Sequence, residues 1–179
     1  MLLAVVLSAQ CTDVRVNQIT PALFQRFPDP KTLAEATPAE ILPYIASCSY
    51  PNSKAKYLAG IGKHLIEDFG GVVPSTREGL ESLPGVGRKS ANVVLANAFG
   101  VPAFAVDTHV HRVAARLGLT QHARTPEETE RQLTALIPPQ EWWRAHHWLI
   151  LHGRYTCVAR KPKCVGCPFE TWCPKIGLE

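Results

Sequence analysis

The chain has 179 residues, of which 46% are apolar and 19% charged, enough for one large domain or two small ones with a buried core. This composition excludes disordered, collagen-like and low-complexity proteins, and no apolar run approaches the ~20 residues that span a bilayer. The net charge of +4 is mild, so it permits an anionic partner without requiring one.

A helical pattern runs through nearly the whole chain, and alternating β-branched runs are absent. Capping sequences mark helix starts at Thr37–Glu40, Thr125–Glu128 and Ser75–Glu78, where Ser or Thr precedes Glu by three residues. Gly70 and Gly71 mark a helix end. We predict helices over residues 1–10, 13–27, 30–36, 38–46, 51–69, 76–82, 87–99, 107–117, 126–136 and 140–153.

A tight turn with two glycines joins two of these helices within Leu83–Ala91. An apolar stripe follows it, formed by Ala91, Val94, Leu95 and Ala98. Glycines at alternate positions expose successive backbone N–H groups, which together with a helix N-terminus form a phosphate site. An ordinary corner between two helices is the alternative. The predicted phosphate-binding residues are Gly85, Val86, Gly87 and Arg88.

This turn has the sequence of a helix-hairpin-helix motif, and the chain resembles the endonuclease III family of DNA glycosylases. Three further segments support the resemblance, at residues 7–13, 106–110 and 146–157. It implies an all-α fold of two lobes with a DNA groove between them. A six-helix lobe with the hairpin is expected at 1–101, and a C-terminal helical lobe with a metal-cluster loop at 102–179.

Lys89 lies two residues before the apolar stripe, and thus about 200° around the helix from Ala91, so it is expected to point away from the core. The helix dipole and Arg88 disfavour an ammonium ion here, which predicts a lowered pKa and a more nucleophilic amine. A lysine in solvent without a chemical role is the alternative. The resemblance implies that Lys89 attacks the sugar C1′ of a damaged nucleotide and forms a Schiff base.

Asp107 is expected to cap the helix that follows it. The resemblance gives it a second role, stabilisation of the positive charge that develops on the sugar. Gln10 matches the family position that fills the space left by a rotated-out nucleotide. At the second such position, where Leu is common in the family, this chain has Tyr50, whose ring can stack on bases.

Four of the six cysteines fall near the end of the chain with the spacing C-x6-C-x2-C-x5-C. They are Cys157, Cys164, Cys167 and Cys173. The spacing alone fits zinc or a [4Fe–4S] cluster, and the resemblance implies the cluster, with its loop at 157–173. The remaining two, Cys11 and Cys48, are expected to be buried thiols.

Basic residues within the cysteine loop are predicted to contact DNA phosphates. They are Arg160, Lys161 and Lys163. The nearby histidines His146, His147 and His152 are expected to pack against their neighbours rather than to bind metal.

The resemblance implies a bifunctional DNA N-glycosylase and AP lyase of base-excision repair, which removes oxidised pyrimidines and cuts 3′ to the abasic site. Its partner is double-stranded DNA with damaged pyrimidines or abasic sites, and we expect a monomer without membrane attachment in the bacterial cytoplasm. The alternatives are an adenine-specific mismatch glycosylase, which lacks a lysine at the position of Lys89, and a non-catalytic DNA-binding module. Since family members begin with about one more helix, we expect an N-terminal helix to be missing.

Overall fold

The computed structural model describes residues 1–178, and all regular elements in this range are helical. The all-α prediction is therefore confirmed. The α-helices are α1 Leu2–Ser8, α2 Asp13–Arg26, α3 Pro30–Glu35, α4 Pro38–Ile45, α5 Pro51–Phe69, α6 Arg77–Glu81, α7 Arg88–Ala98, α8 Thr108–Arg116, α9 Pro126–Leu136 and α10 Trp142–Tyr155. Within residues 1–178, no helix is both long enough and apolar enough to cross a membrane.

The chain divides into two compact units between Phe99 and Gly100, two residues before the predicted domain boundary. Within the described residues, the first unit contains seven helices, α1 to α7. The family resemblance implied six helices, whereas the helical pattern predicted seven, and the structure agrees with the pattern because α6 is a short helix of its own. The second unit contains α8 to α10 and the cysteine loop.

The predicted capping box at the start of α4 is confirmed. The Thr37 hydroxyl accepts a hydrogen bond from the Glu40 N–H at 3.3 Å, and the Glu40 carboxylate accepts one from the Thr37 N–H at 2.8 Å. Hydrogen bonds from the Thr37 backbone and hydroxyl hold the pKa of the Glu40 carboxyl below its ordinary value. Both partners thus stabilise the first turn.

The other two capping predictions need correction. At α6 the cap is Thr76 rather than Ser75, because the extended backbone at Thr76 lets its hydroxyl reach the Gly79 N–H. At α9 the Thr125 hydroxyl accepts from Glu128 as predicted, but the Glu128 carboxylate accepts from the N–H of Arg124, at 2.6 Å. In both helices the observed hydrogen bond involves a residue one position away from the predicted one.

Helix α5 packs against α3 and α4 at the centre of the first unit. Its apolar face includes Leu58 and Ile61, which are fully buried. Gly62 allows a very close approach to α3, since a Cβ there would lie 2.6 Å from the backbone nitrogen of Ala34. A side chain at this position would push the two helices apart.

Helix α7 buries the first three residues of its predicted apolar stripe, namely Ala91, Val94 and Leu95. The fourth, Ala98, is exposed because it lies in the last turn of the helix. In the second unit, α8 and α10 touch at Gly153, where a Cβ would lie 3.0 Å from the His109 Cβ. This contact sets α10, and the loop that follows it, against α8.

Candidate functional site

The hairpin between α6 and α7 contains two glycines with different surroundings. Gly85 has φ +76°, and a Cβ there would lie 2.6 Å from the Tyr57 ring, so only glycine fits. Gly87 has φ −97°, and a Cβ there would meet no atom within 4 Å. The first glycine is thus required by the turn, whereas the second leaves open space beside the start of α7.

The hairpin offers backbone donors that the described chain does not use. The N–H groups of Gly85, Gly87 and Lys89 have no acceptor within residues 1–178. Val86 differs from the prediction, because its N–H donates to Leu83 O at 3.1 Å and its side chain is buried. Val86 therefore anchors the turn, and the backbone donors on either side of it have no acceptor within the described residues.

Lys89 lies in the first turn of α7 and is exposed, as is Arg88 beside it. Ala91, two residues on, is fully buried. The side chain of Lys89 therefore projects from the face opposite the core, as the position of the stripe predicts. Its amine forms no hydrogen bond or ion pair with any described residue and is accessible to a ligand.

Asp107 caps α8, as predicted. One of its carboxylate oxygens, Oδ1, accepts hydrogen bonds from the N–H groups of His109 and Val110, both at 2.8 Å. The other oxygen, Oδ2, accepts none from the described residues, and Asp107 is only half-buried. The cap therefore fixes the orientation of the carboxylate and leaves one oxygen available for chemistry.

Gln10 and Tyr50 lie on neighbouring loops, joined by a hydrogen bond of 2.6 Å from the Ser49 hydroxyl to Gln10 O. Both have φ 54°, in the left-handed region that is uncommon for residues other than glycine. Both are exposed, and 64% of the surface of Tyr50 is accessible. Such backbone strain at exposed residues of two neighbouring loops is typical of functional loops.

Lys54 supports these loops and was not predicted to matter. It is only 4% exposed, and its ammonium donates to Leu7 O at 2.8 Å, in the last turn of α1, and to Ala9 O at 2.6 Å, just after that helix. Its position, four residues before Leu58 on the apolar face of α5, is a sequence signal that could have revealed it. A lysine on a buried helix face needs partners of this kind.

The four clustered cysteines line one small cavity in the second unit. Within residues 1–178, however, no three metal-binding side chains are close enough together to hold a single metal ion. Four thiolates that line one cavity can serve as the ligands of a bound metal group, and this donor set fits either zinc or a [4Fe–4S] cluster.

Two arginines of α8 hold the cysteine loop in place. Arg116 is buried and donates to Val158 O at 2.8 Å and to Ala159 O at 3.0 Å. Arg112 donates to Gly153 O at 2.8 Å and to the carbonyl of Cys157 at 3.1 Å. These contacts join residues about 40 positions apart, so no local sequence signal could have revealed them.

The histidines of α10 divide into two groups. His146 and His147 bond to the carbonyls of Ala105 and Trp143, both at 2.8 Å, as the packing prediction expects. His152 instead lines the cysteine cavity, with Nε2 3.8 Å from Cys167 Sγ, and burial lowers the pKa of its imidazole. The basic residues Arg160, Lys161 and Lys163 are all exposed.

Residues 3–139 match the family model described as HhH-GPD superfamily base excision DNA repair protein. The chain is 50% identical over 175 residues to endonuclease III of Synechocystis sp., covering 97% of this chain and 80% of that protein. It is 46% identical over 173 residues to endonuclease III of Bacillus subtilis, with 97% and 79% covered.

A solved structure of a trapped endonuclease III–DNA covalent intermediate superposes on this chain with a TM-score of 0.90 at 44% identity. The match covers 97% of this chain and 82% of that one. Sequence and fold thus agree over nearly the whole chain, and the family model agrees with them over residues 3–139. The protein belongs to the endonuclease III family of base excision DNA repair proteins.

Proposed function

We propose that this protein is a bifunctional DNA glycosylase and AP lyase that removes oxidised pyrimidines from duplex DNA. The observation that carries the proposal is the exposed amine of Lys89 beside the donor-rich hairpin, in a chain of the endonuclease III family. An amine is required for a lyase that proceeds through a Schiff base. The bacterial relatives support action on DNA in the bacterial cytoplasm.

Lys89 is the proposed nucleophile. Its neutral amine attacks C1′ of the damaged nucleotide, and the base leaves with the electron pair of the glycosidic bond. Opening of the sugar ring then gives an imine between C1′ and the lysine nitrogen. Loss of a proton from C2′ breaks the bond between C3′ and its oxygen, so the strand is cut 3′ to the abasic sugar.

Asp107 is the proposed electrostatic partner in this reaction. Its oxygen Oδ2 is free of internal hydrogen bonds, so it can face the positive charge that develops on the sugar as the base leaves. It can also accept the proton that Lys89 must lose before attack. The cap on α8 fixes the carboxylate in advance, which reduces the cost of orienting it.

The hairpin and the two strained loops are the proposed DNA contacts. The free N–H groups of Gly85 and Gly87, with the start of α7 and Arg88, suit a backbone phosphate. Rotation of a nucleotide out of the duplex costs a few kcal/mol, and a side chain that fills the vacated space offsets that cost. Gln10 and Tyr50, exposed on adjacent loops, are the proposed residues for this role.

We further infer that Cys157, Cys164, Cys167 and Cys173 hold a [4Fe–4S] cluster. The bound cluster supplies structural order to a loop with little core of its own, and takes no part in base excision. It presents Arg160, Lys161 and Lys163 to DNA phosphates. Iron and sulfide analysis with an absorption spectrum tests this assignment, since a zinc protein is colourless.

Borohydride trapping tests the proposed reaction. The purified protein is incubated with a duplex containing one thymine glycol, and borohydride reduces any imine to a stable covalent adduct. We expect an adduct with the native protein and none with Lys89→Ala. Lys63→Ala, which removes an equally exposed lysine from α5, is the matched control and should form the adduct normally.

The outcomes separate the alternatives. An adduct that persists in Lys89→Ala would exclude Lys89 as the nucleophile. If the folded native protein forms no adduct, even with a duplex that contains an abasic site, the lyase proposal is wrong. Excision of adenine from mismatched DNA without an adduct would favour the adenine-specific glycosylase, and binding without excision would favour a non-catalytic module.

A further inference from the structure

Two cysteines that play no part in the proposed reaction lie on neighbouring loops of the first unit. Cys11 follows Gln10 after α1, and Cys48 precedes Ser49 between α4 and α5. The Ser49 hydroxyl joins the two loops through a hydrogen bond of 2.6 Å to Gln10 O. Cys48 and Cys11 are the immediate neighbours of these two residues, so the cysteines flank the contact that joins the loops.

The two thiols differ in access to solvent. Cys48 is buried, with 4% of its surface exposed, and its Sγ donates to Leu7 O at 3.3 Å. Cys11 was expected to be buried as well, but it is only half-buried and faces solvent in part. An oxidant from solution would therefore reach Cys11 before Cys48.

The electrostatic surroundings also favour oxidation of Cys11 before Cys48. Burial raises the pKa of Cys48, and its contact with Cys11 adds to that increase. Burial also acts to raise the pKa of Cys11, but hydrogen bonds from the Ser49 backbone and Cys48, with the charge of Lys54, outweigh it and lower the pKa. The Lys54 ammonium lies 3.2 Å from Cys48 Sγ. A more acidic, accessible thiol beside a buried one is typical of redox-active cysteine pairs.

We propose that Cys11 and Cys48 are a redox-active dithiol that a hydroperoxide converts into a disulfide. The Cys11 thiolate attacks the peroxide, so that an S–O bond forms, the O–O bond breaks, and the leaving oxygen takes up a proton. The Cys48 sulfur then attacks the sulfenic acid, an S–S bond forms, and water leaves. The two thiols together lose two electrons. The hydroperoxide accepts them, and one of its oxygens leaves with the first step and the other as water in the second.

The disulfide would join the loop that carries Gln10 to the loop that carries Tyr50. This modification does not depend on the reaction proposed for Lys89, because neither cysteine takes part in that reaction. A test that maps the S–S bond directly can therefore succeed or fail whatever the activity of the protein on DNA.

Peptide mapping of the cluster-containing protein tests the proposal. The protein is treated with hydrogen peroxide, free thiols are blocked with iodoacetamide, and trypsin digestion without reductant is followed by mass spectrometry. Cleavage after lysine and arginine places Cys11 in the peptide 1–15 and Cys48 in the peptide 32–54, with no other cysteine in either. We expect these two peptides to be disulfide-linked, and the link to be lost after dithiothreitol.

Two variants serve as matched controls. In Cys48→Ser the linked peptide should be lost, and dimedone should label the sulfenic acid that persists on Cys11. In Cys11→Ser the buried Cys48 should escape dimedone while circular dichroism shows a folded protein. The proposal is overturned if the folded native protein gives no linked peptide, or if dimedone labels Cys48 as readily as Cys11. The native protein alone decides the matter if a variant does not fold.

Discussion

At the scale of single residues, the two glycines of the hairpin differ in whether the fold itself requires glycine. Gly85 has a left-handed backbone and lies against the Tyr57 ring, so the protein itself requires glycine there. Gly87 has an ordinary backbone conformation and open space around its Cα. No described residue requires glycine at this position, which supports the proposed phosphate contact.

Gly87→Ala should fold normally and bind DNA more weakly. Because Gly87 precedes α7 as its cap, the substitution should cost about 1 kcal/mol in stability at most. The added methyl group should obstruct the phosphate, which a titration with a fluorescent abasic-site duplex measures. Gly85→Ala, in contrast, should lower the unfolding temperature strongly through strain and overlap with Tyr57. Unchanged DNA affinity in Gly87→Ala would contradict the proposed phosphate contact.

At the scale of helices, local capping determines where most elements begin. Asp29, Thr37, Thr76, Asp107 and Thr125 each accept a hydrogen bond from the first turn of the helix that follows. Such caps were readable in sequence because donor and acceptor are only two or three residues apart. At α6 the observed cap, Thr76, lies one residue from the predicted Ser75, because two neighbouring hydroxyls can each cap the helix.

Glu40→Gln tests the charge in the best-formed of these caps. Since the pKa of Glu40 is lowered in the folded protein, its ionised form stabilises α4 above the ordinary carboxyl pKa, and this stabilisation is lost as the pH falls through the lowered value. The native protein should therefore melt at a slightly higher temperature than Glu40→Gln at neutral pH, and the difference should disappear in acid. Melting curves followed by circular dichroism measure both.

Glu81→Gln provides the control for this comparison. It removes one exposed carboxylate from α6 that makes no hydrogen bond to any described residue. Its melting temperature should follow that of the native protein at every pH. A difference between native protein and Glu40→Gln that persists unchanged into acid would show that the charge of Glu40 is not involved.

At the scale of the whole molecule, the proposed functions are divided between two compact units. Lys89 and the hairpin lie in the first unit, and Asp107 and the cysteine loop lie in the second. The net charge of +4 is modest, so DNA binding must depend on the placement of basic residues rather than on their number. The exposed basic residues between Cys157 and Cys164 are the clearest such group.

The double variant Lys161→Ala/Lys163→Ala should weaken the salt dependence of DNA binding. Each phosphate contact contributes about 0.9 to the slope of log affinity against log salt, so the slope should fall by up to about 2. Lys31→Ala/Lys63→Ala removes the same charge from exposed positions of α3 and α5 and should change the slope less. Equal changes in the two variants would mean that the cysteine loop has no special role in binding DNA.

The sequence by itself determined the ten helices, the caps at Thr37, Asp107 and Thr125, the glycine hairpin and the spacing of four cysteines. These features depend on residues that are neighbours in the chain, and short-range hydrogen bonds and apolar periodicity mark them directly. The resemblance to a family rests on the same local motifs. Lys89 was predicted to be exposed for this reason, since its direction follows from the pitch of one helix.

Only the tertiary structure decided how distant segments support one another. Lys54 reaches Leu7 O across 47 positions, Arg116 reaches Val158 O across 42, and Gly62 meets α3 backbone to backbone. The hydrogen bond from Ser49 to Gln10 O, which joins the loops of Cys48 and Cys11, is of the same kind. Such contacts arise because burying apolar helix faces brings remote polar groups together, and those groups must then satisfy one another within the core.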